Sequence, residues 1–307
     1  LIGSLLADLD GLDALLACVT GDVPLSDHTL HFATASGHPV TVSAASGAFP
    51  GPDEQILLHL RDVTQRAAKE DDLARANAEL EHCVNALAHD LRSPLVALLG
   101  FSRLLRQDYG ELLDETGNHF IDRIDQAGCT MESLVHDMLE LSSIGRPGES
   151  REMVDTRSLL AQIEAELKPK LDAVGLHMEI PDDLPPVYAH PIRLYQVFSN
   201  LVGNAIEHAG PNRDPRIHIA IVDDGDVHRI CVRDHGRGIP LESQERIFEV
   251  FESLNTVPGR KSGTGIGLAI VKKIAETHRG RVWVESRPGR GAAFHLTIAK
   301  RGDPILA

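Results

Sequence analysis

The sequence predicts an α+β multidomain protein with three parts. We expect a short α/β segment over residues 1–65, a long helical hairpin over 66–147 that forms a dimeric four-helix bundle, and a C-terminal α/β sandwich over 148–307 whose mixed sheet has helices on one face. Three observations predict this organisation. Short alternating runs end near residue 62, a seven-residue period follows, and strand-like and helix-like patterns mix after residue 150.

Composition narrows the possible partners and surroundings. The chain has 307 residues, with 30 Lys and Arg against 45 Asp and Glu, and the resulting net charge of −15 argues against a nucleic-acid partner. The longest apolar stretch, residues 1–19, is interrupted by three aspartates, so no membrane segment is indicated in this part of the protein. Four scattered cysteines without a CxxC pair indicate reduced thiols, and we expect a cytoplasmic protein.

The first part contains strand signals. Apolar residues alternate over Val40, Val42 and Ala44, and a Pro-Gly-Pro turn at 50–52 separates this run from a second apolar run. This pattern predicts strands of an antiparallel sheet between residues 26 and 62. We expect a helix over Leu1–Cys18 before them.

The second part has the period of a coiled coil. A predicted helix over 66–108 would be about 64 Å long, at ~1.5 Å per residue, and so needs a partner for its apolar stripe. A second stripe follows over 120–141, and two helices make half of a four-helix bundle, so we expect a homodimer. The predicted seam positions are Leu73, Leu80, Val84, Leu87 and Leu91.

The third part mixes both periods. The patterns predict helices over 156–173, 190–209 and 266–278, and strands over 175–180, 215–223, 228–234, 280–286 and 293–299.

The run AHDLRSPL at 88–95 carries the first candidate chemistry. His89 and Ser93 lie one helical turn apart, and Asp90 can accept a hydrogen bond from one ring nitrogen of His89, which leaves the other nitrogen nucleophilic. Pro94 removes a backbone donor and should kink the helix. On these residues alone, a solvated surface histidine is the more common explanation.

Two further motifs have oxygen ligands in suitable places. In NLVGNA, Asn200 and Asn204 lie one turn apart, and their amide oxygens suit a Mg²⁺ ion that already carries phosphate oxygens. In DHGRGI, Asp234 follows a strand and can accept a hydrogen bond from the exocyclic amine of a base. Exposed asparagines and an ordinary turn remain alternatives for these two motifs.

The run KSGTGIGL at 261–268 precedes a helix. Glycines at a helix N-terminus expose backbone donors where the dipole favours phosphate, although a lone glycine cluster is more often a flexible turn. It is not a P-loop, because the GK[ST] spacing is absent. Upstream, we expect Phe248 and Phe251 to pack at the base of a lid over 252–264.

In this order, the four motifs resemble those of the sensor histidine kinases of two-component systems. AHDLRSPL resembles the phosphoacceptor box of the HisKA type, NLVGNA the asparagine box, and DHGRGI and GTGIGLAIVKKI the glycine boxes of the GHKL-type ATP-binding domain, with ERIFEVF as the phenylalanine box. The resemblance covers about residues 66–300. Residues 37–65, which end in DVTQR, resemble the end of a PAS-like sensor domain, truncated here, followed by its signalling helix.

The resemblance implies an ATP-dependent kinase that phosphorylates His89, with Asp90 as base or orienting group. It implies ATP and Mg²⁺ as cofactors, Asn204 as the Mg²⁺ ligand, and transfer to an aspartate in the receiver domain of a response regulator. The ATP-binding residues it implies are Asn200, Asn204, Asp234, Gly236, Gly238, Ile239, Lys261, Gly263, Thr264, Gly265, Ile266, Gly267 and Leu268.

Some positions depart from the family pattern. Glu207 stands where the family often has a phosphate-binding lysine, so we expect Lys261 or Arg260 to replace that contact. Ser93 stands where Thr or Asn often supports dephosphorylation of the partner, so a phosphatase role stays open. Two other functions compete: a nucleotide-binding scaffold without chemistry, and an ATPase of the chaperone or mismatch-repair type. The intact His89, Asn204 and Asp234 disfavour the first, and the dimerising helix disfavours the second.

Overall fold

The computed structural model describes residues 28–33, 39–49, 55–145, 149–210, 214–252 and 264–300. The chain divides after His82 into two compact units. The expected domain boundaries at 65 and 147 stay predictions.

The first unit contains an antiparallel sheet. Strands β1 (His28–Ala33), β2 (Pro39–Phe49) and β3 (Gln55–Asp62) pair in that order, as the alternation predicted. Asp62 Oδ1 accepts a hydrogen bond of 2.9 Å from the backbone N–H of Thr64, where the next helix begins. The helix predicted over Leu1–Cys18 lies outside the described residues.

The predicted helical hairpin is confirmed. Helix α1 runs over Thr64–Tyr109 and continues through Pro94, and α2 runs over Glu115–Ser143. Asp114 caps α2, because its Oδ1 accepts a hydrogen bond of 2.7 Å from Gly117 N–H. Among the described helices, none combines the length and the apolar character needed to cross a membrane.

The predicted seam residues of α1 differ in how far they are buried in a single chain. Val84 is buried, but Leu87 and Leu91 are 52% and 55% exposed in a single chain. Leu95 and Leu99 of α1 are also buried, and Leu99 lies close to Gly128 of α2. The apolar face of α1 is wider than α2 alone can cover, so Leu87 and Leu91 face away from the hairpin contact.

The sandwich follows the predicted order of elements. It contains β4 (Glu152–Val154), α3 (Thr156–Val174), β5 (His177–Glu179), β6 (Val187–Ala189), α4 (Pro191–Glu207), β7 (Arg216–Asp224), β8 (Val227–Arg233), α5 (Gly267–Thr277), β9 (Val282–Ser286) and β10 (Ala292–Ala299). The predicted helices and strands are confirmed to within a few residues at their ends. β4 and β6 were not predicted, since three residues are too few for a readable period, and they pair with each other.

The main sheet has two different faces. Its strand order is β5-β7-β8-β10-β9, with β5 parallel to β7 and the other neighbours antiparallel. Along β7, Ile217, Ile219 and Ile221 are buried in the core shared with α3, α4 and α5, while Arg216 and Ala220 on the other face are exposed. This second surface is called the open face below.

Candidate functional site

His89 lies on the outer surface of helix α1. Its side chain is 83% exposed, and Nδ1 lies 3.3 Å from Oδ1 of Asp90, which is also exposed. With the proton on Nδ1, the ring donates it to Asp90 and keeps a lone pair on Nε2. Ser93, one turn further along the helix, is exposed as well. An incoming group can therefore reach the ring without displacing other side chains.

A cavity of about 780 Å³ opens on the helix-covered side of the sandwich. Nine of the predicted nucleotide-binding residues line it, and they come from separate elements: Asn200, Asn204, Asp234, Gly238, Ile239, Thr264, Gly265, Gly267 and Leu268. Its size is within the usual range for sites that bind small molecules and cofactors.

Asp234 lies in the wall of this cavity, directly after β8, and is only 9% exposed. Its Oδ1 accepts backbone hydrogen bonds of 2.8 Å from Gly236 and 3.3 Å from Ala292. Burial raises the pKa of this carboxyl group above its usual value, more than these hydrogen bonds lower it. Because both bonds fall on Oδ1, Oδ2 can accept from a ligand.

The two asparagines lie on the cavity side of α4 and differ in their contacts. Asn200 donates a hydrogen bond of 2.9 Å to the carbonyl of Gln196. The Nδ2 atom of Asn204 is buried and has no hydrogen-bond partner among the described residues. A buried amide without a partner is costly, and a polar ligand in the cavity would supply one.

Two glycines allow close backbone approaches around the cavity. Gly238 has φ of +71°, and a Cβ there would lie 2.0 Å from the carbonyl oxygen of Arg287. A Cβ on Gly267, the first residue of α5, would lie 2.6 Å from Asn200 Oδ1. Only glycine fits at position 238, whereas a side chain at position 267 would require the Asn200 side chain to move. The N-terminus of α5 thereby faces the cavity, where its dipole favours an anion.

Four predicted binding residues remain, and the two of them that the structure describes do not line the cavity directly. Gly236 shapes the wall by donating to Asp234, and Ile266 is fully buried in the core beneath the cavity. Lys261 and Gly263 lie outside the described residues. The expected packing of the two phenylalanines is half wrong: Phe248 is buried, but Phe251 is 63% exposed, with φ of +67°.

The structure adds cavity residues that sequence reasoning did not find. Lys170 on α3 and Arg237 after β8 bring basic side chains to the cavity, and Asp137 brings a carboxyl group from α2. Thr264 donates a hydrogen bond of 2.5 Å to Asp137 Oδ2. Burial raises the pKa of the Asp137 carboxyl group. Lys170 and Asp137 lie in no motif, since only tertiary packing brings them to the site, whereas Arg237 lies within DHGRGI but had no role predicted for it.

A polar cluster joins the end of α2 to α4 of the sandwich. The nearly buried Arg193 donates to Glu149 and, at 3.0 Å, to the backbone carbonyl of Ser143. Gln196, on the next turn, donates at 2.8 Å to Glu140 of α2. Together with the contact between Thr264 and Asp137, this cluster holds the helical hairpin against the sandwich.

Family models match both parts of this arrangement. Residues 79–147 match the His Kinase A (phospho-acceptor) domain, and residues 189–302 match the histidine kinase-, DNA gyrase B- and HSP90-like ATPases. The two matched regions are the helical hairpin that carries His89 and the sandwich that forms the cavity.

Similar proteins include a phytochrome-like protein and a sensory kinase. Phytochrome-like protein Cph1 of Synechocystis sp. is 36% identical over 243 residues, which cover 79% of this chain and 32% of that protein. The adaptive-response sensory kinase SasA of Synechococcus sp. is 33% identical over 256 residues, which cover 81% of this chain and 67% of that protein. The chain thus spans about a third of the length of the phytochrome-like relatives.

Two solved structures have a fold similar to that of this chain. ShkA, determined in complex with AMPPNP, aligns with a TM-score of 0.55 and 28% identity over 73% of this chain and 47% of that one. ThkA, determined with the response regulator TrrA, shares the fold with a TM-score of 0.52 at 23% identity, over 96% and 85% of the two chains.

An exposed histidine on a helical hairpin, next to an ATPase-type sandwich, defines a class of phosphotransfer signalling proteins. The chain belongs to the sensor histidine kinase family.

Proposed function

We propose that this chain is the catalytic region of a protein-histidine kinase, which transfers the γ-phosphoryl group of ATP to His89 and then to an aspartate of a response regulator. One observation carries the proposal: the same compact unit contains a highly exposed histidine and a cavity lined by Asn200, Asn204 and Asp234. The relative ThkA was solved in complex with a response regulator, which supports such a partner here.

The cavity suits an adenine nucleotide. Asp234 Oδ2 would accept a hydrogen bond from the adenine amino group, and apolar residues such as Ile239 and Phe294 would pack against the ring. The N-terminus of α5 would bind phosphates. Because Glu207 cannot bind phosphate as a lysine would, Lys170 and Arg237 are the described basic residues available for that contact. Lys261 stays a second candidate.

Mg²⁺ would be held by Asn204, with Asn200 beside it. The donor set fits, because hard amide oxygens suit this ion, and the buried Nδ2 of Asn204, which has no hydrogen-bond partner among the described residues, would donate to a phosphate oxygen beside it. When bound, the ion neutralises charge on the phosphate oxygens.

The residues at His89 can complete the transfer. His89 Nε2 would attack the γ-phosphorus, the bond from that phosphorus to the β,γ-bridging oxygen would break, and ADP would leave. Attack by a neutral imidazole produces an imidazolium, whose Nδ1 proton Asp90 is placed to accept. Catalysis then rests on positioning and charge neutralisation, as is general for phosphoryl transfer.

Transfer requires movement within the chain. His89 is not among the described residues that line the cavity, and the contacts of Thr264 with Asp137 and of Arg193 with Ser143 hold the sandwich on α2. We expect these contacts to break when the nucleotide approaches His89, which is a conformational step of the kind that often limits turnover.

We also infer that the hairpin dimerises as a four-helix bundle. Several large apolar side chains on both helices are exposed in the single chain, which is costly for a soluble protein unless a second hairpin covers them. They are Leu87, Leu91, Leu98, Phe101, Leu104, Leu105, Phe120, Ile124, Met131 and Met138.

Finer assignments complete the proposal. We infer that residues 1–65 end a PAS-like domain, supported by the antiparallel sheet that leads directly into α1. A cytoplasmic location is supported by the acidic composition and by free cysteines at positions 83, 129 and 231. A phosphatase role for Ser93 stays a prediction.

Labelling with γ-labelled ATP and Mg²⁺ tests the function. We expect the wild type to gain label that is stable in base and lost in acid, as for a phosphoramidate. His89→Gln should lose it, since the nucleophile is gone. His119→Gln, which changes another exposed histidine of the hairpin, is the matched control and should label like the wild type.

The outcomes separate the competing functions. Nucleotide binding without any label would favour a scaffold. Release of phosphate at an equal rate by wild type and His89→Gln, without label, would favour an ATPase. Either result contradicts the kinase proposal.

A further inference from the structure

Several polar side chains meet on the open face of the sheet, outside the cavity. Asp214 precedes β7, His218 lies within β7, and His235 follows β8. One donor atom from each lies within 4.8 Å of the other two. His235 is the neighbour of Asp234, but consecutive residues point to opposite sides, so this cluster is separate from the nucleotide cavity.

The two histidines present the same nitrogen to one carboxylate oxygen. Nε2 of His218 lies 3.9 Å and Nε2 of His235 lies 4.0 Å from Oδ2 of Asp214. The two rings meet edge to face, with 5.3 Å between centroids. The three donor atoms therefore surround a common point, as ligands of one ion would.

The other ring nitrogens have hydrogen-bond partners of their own. Nδ1 of His218 lies 2.5 Å from Oε2 of Glu179, and Nδ1 of His235 lies 3.2 Å from the backbone carbonyl of Arg216. With protons on both Nδ1 atoms, each Nε2 carries a lone pair toward Asp214. Histidines that bind metals are oriented in this way, by donating the second N–H to a carboxylate or a carbonyl.

We propose that Asp214, His218 and His235 form a site for a divalent transition-metal ion, of the chemical type of Zn²⁺. Two imidazoles and one carboxylate are a ligand set typical of this ion, with a fourth position left for water. Bonds of ~2.0–2.2 Å place tetrahedral ligands about 3.3 Å apart. Each histidine Nε2 must therefore approach Asp214 Oδ2 by about 0.6–0.7 Å, and the two histidine nitrogens, which lie within 4.8 Å, must approach each other by up to about 1.5 Å, which side-chain rotation can provide.

Arg216 limits the affinity of this site. Its guanidinium binds both oxygens of Asp214, with Nε at 2.9 Å from Oδ1 and an Nη atom at 2.8 Å from Oδ2. This orients the carboxylate. Oδ1 also accepts a hydrogen bond of 3.1 Å from the backbone N–H of Arg216, so Oδ2 is the oxygen that keeps a lone pair for an ion. The positive charge nearby opposes the metal, so we expect exchangeable binding rather than a permanent structural ion.

Calorimetric titration of the full chain with ZnCl₂ tests the site, with affinity tags removed and nucleotide absent. We expect one ion per chain, with affinity at least tenfold weaker in His218→Gln and in His235→Asn. His177→Gln is the matched control and should bind like the wild type, since His177 is also exposed on β5 but is not part of the cluster. With Co²⁺ as the probe, visible absorption should follow the same order.

Two further measurements keep the test decisive. His218→Gln should retain ATP binding and the circular dichroism of the wild type, which shows that a loss of metal is local. Titration of the wild type without saturable binding would overturn the site. Equal affinity in wild type, His218→Gln and His235→Asn would do so as well, as would an equal loss in His177→Gln.

Discussion

The helical hairpin and the sandwich differ in how far their apolar side chains are buried within a single chain. Among the residues that the structure describes, the largest fully buried side chains, such as Phe198 and Ile270, all lie between residues 160 and 298 of the sandwich. The hairpin instead exposes a row of leucines and aromatic residues, such as Phe101, which is 67% exposed. The sandwich has a core of its own, whereas the exposed apolar side chains of the hairpin would be covered by the second copy in the proposed dimer.

This difference matches the two proposed tasks. A cavity that binds a nucleotide needs walls held by a well-packed core, because its donors must keep their positions. A phosphoacceptor must stay accessible to two partners in turn, and His89 lies on the exposed side of a helix that packs mainly along its other side. The cluster around Arg193 is where the two regions meet.

The largest expected effect is in the core of the sandwich. Phe198→Ala should lower the free energy of unfolding by about 3–5 kcal/mol, because it leaves a cavity in a fully buried position on α4. Chemical denaturation of the purified protein measures this. The control Phe101→Ala should leave the unfolding of the sandwich within about 0.5 kcal/mol of the wild type. Equal losses in both variants would remove the contrast between the two regions.

The second-largest effect on stability is expected at the contact between the hairpin and the sandwich. Arg193→Ala removes hydrogen bonds to Glu149 and Ser143, and should cost about 1–3 kcal/mol, because a charged group takes part. We expect calorimetry of this variant to resolve separate unfolding transitions for the hairpin and the sandwich. In the wild type these two regions should unfold together, in a single transition. The control Lys272→Ala breaks an exposed ion pair and should change little. An unchanged melting profile in Arg193→Ala would mean that the cluster does not couple the regions.

Dimerisation should respond to the hairpin alone. Phe101→Ala should raise the dissociation constant of the dimer about tenfold, or about 1.4 kcal/mol, as expected for an aromatic residue at an interface centre. Analytical ultracentrifugation measures it. Leu241→Ala, which removes a more exposed apolar side chain from the sandwich, is the control and should not alter the dimer. A monomeric wild type would contradict the proposed bundle.

The smallest effect on stability is expected at Asp234, and it depends on pH. Because the folded-state pKa is raised, the contribution of the protonated carboxyl is present below the unfolded pKa and is lost as the pH rises through the folded pKa. Asp234→Asn cannot ionise, so its stability relative to wild type should rise with pH. Its affinity for ATP should fall about tenfold or more, since an amide N–H₂ would face the adenine amine.

Denaturation series between pH 4 and 8, with nucleotide titrations alongside, check both halves of that prediction. A relative stability that falls as the pH rises would contradict the burial of this carboxyl group. ATP affinity equal to that of the wild type would contradict its role toward adenine.

Sequence patterns predicted the helices and strands, but not which residues of different elements come into contact. The period of seven gave α1 and α2 to within a few residues, yet it could not say that Leu87 and Leu91 turn away from α2, because periodicity does not reveal which partner covers a face. The motif residues of the cavity were predictable because each motif has local chemistry. Lys170, Asp137 and the cluster at His218 were not, since they are brought in by packing and strand pairing between distant segments.

Mass spectrometry of the autophosphorylated chain tests the central claim most directly. After incubation with ATP and Mg²⁺ and tryptic digestion without acid, the peptide 76–92 contains both His82 and His89. The proposed function predicts one phosphoryl group, assigned by fragmentation to His89. A phosphoryl group on His82, on Ser93 in the following peptide or nowhere in the hairpin would contradict it.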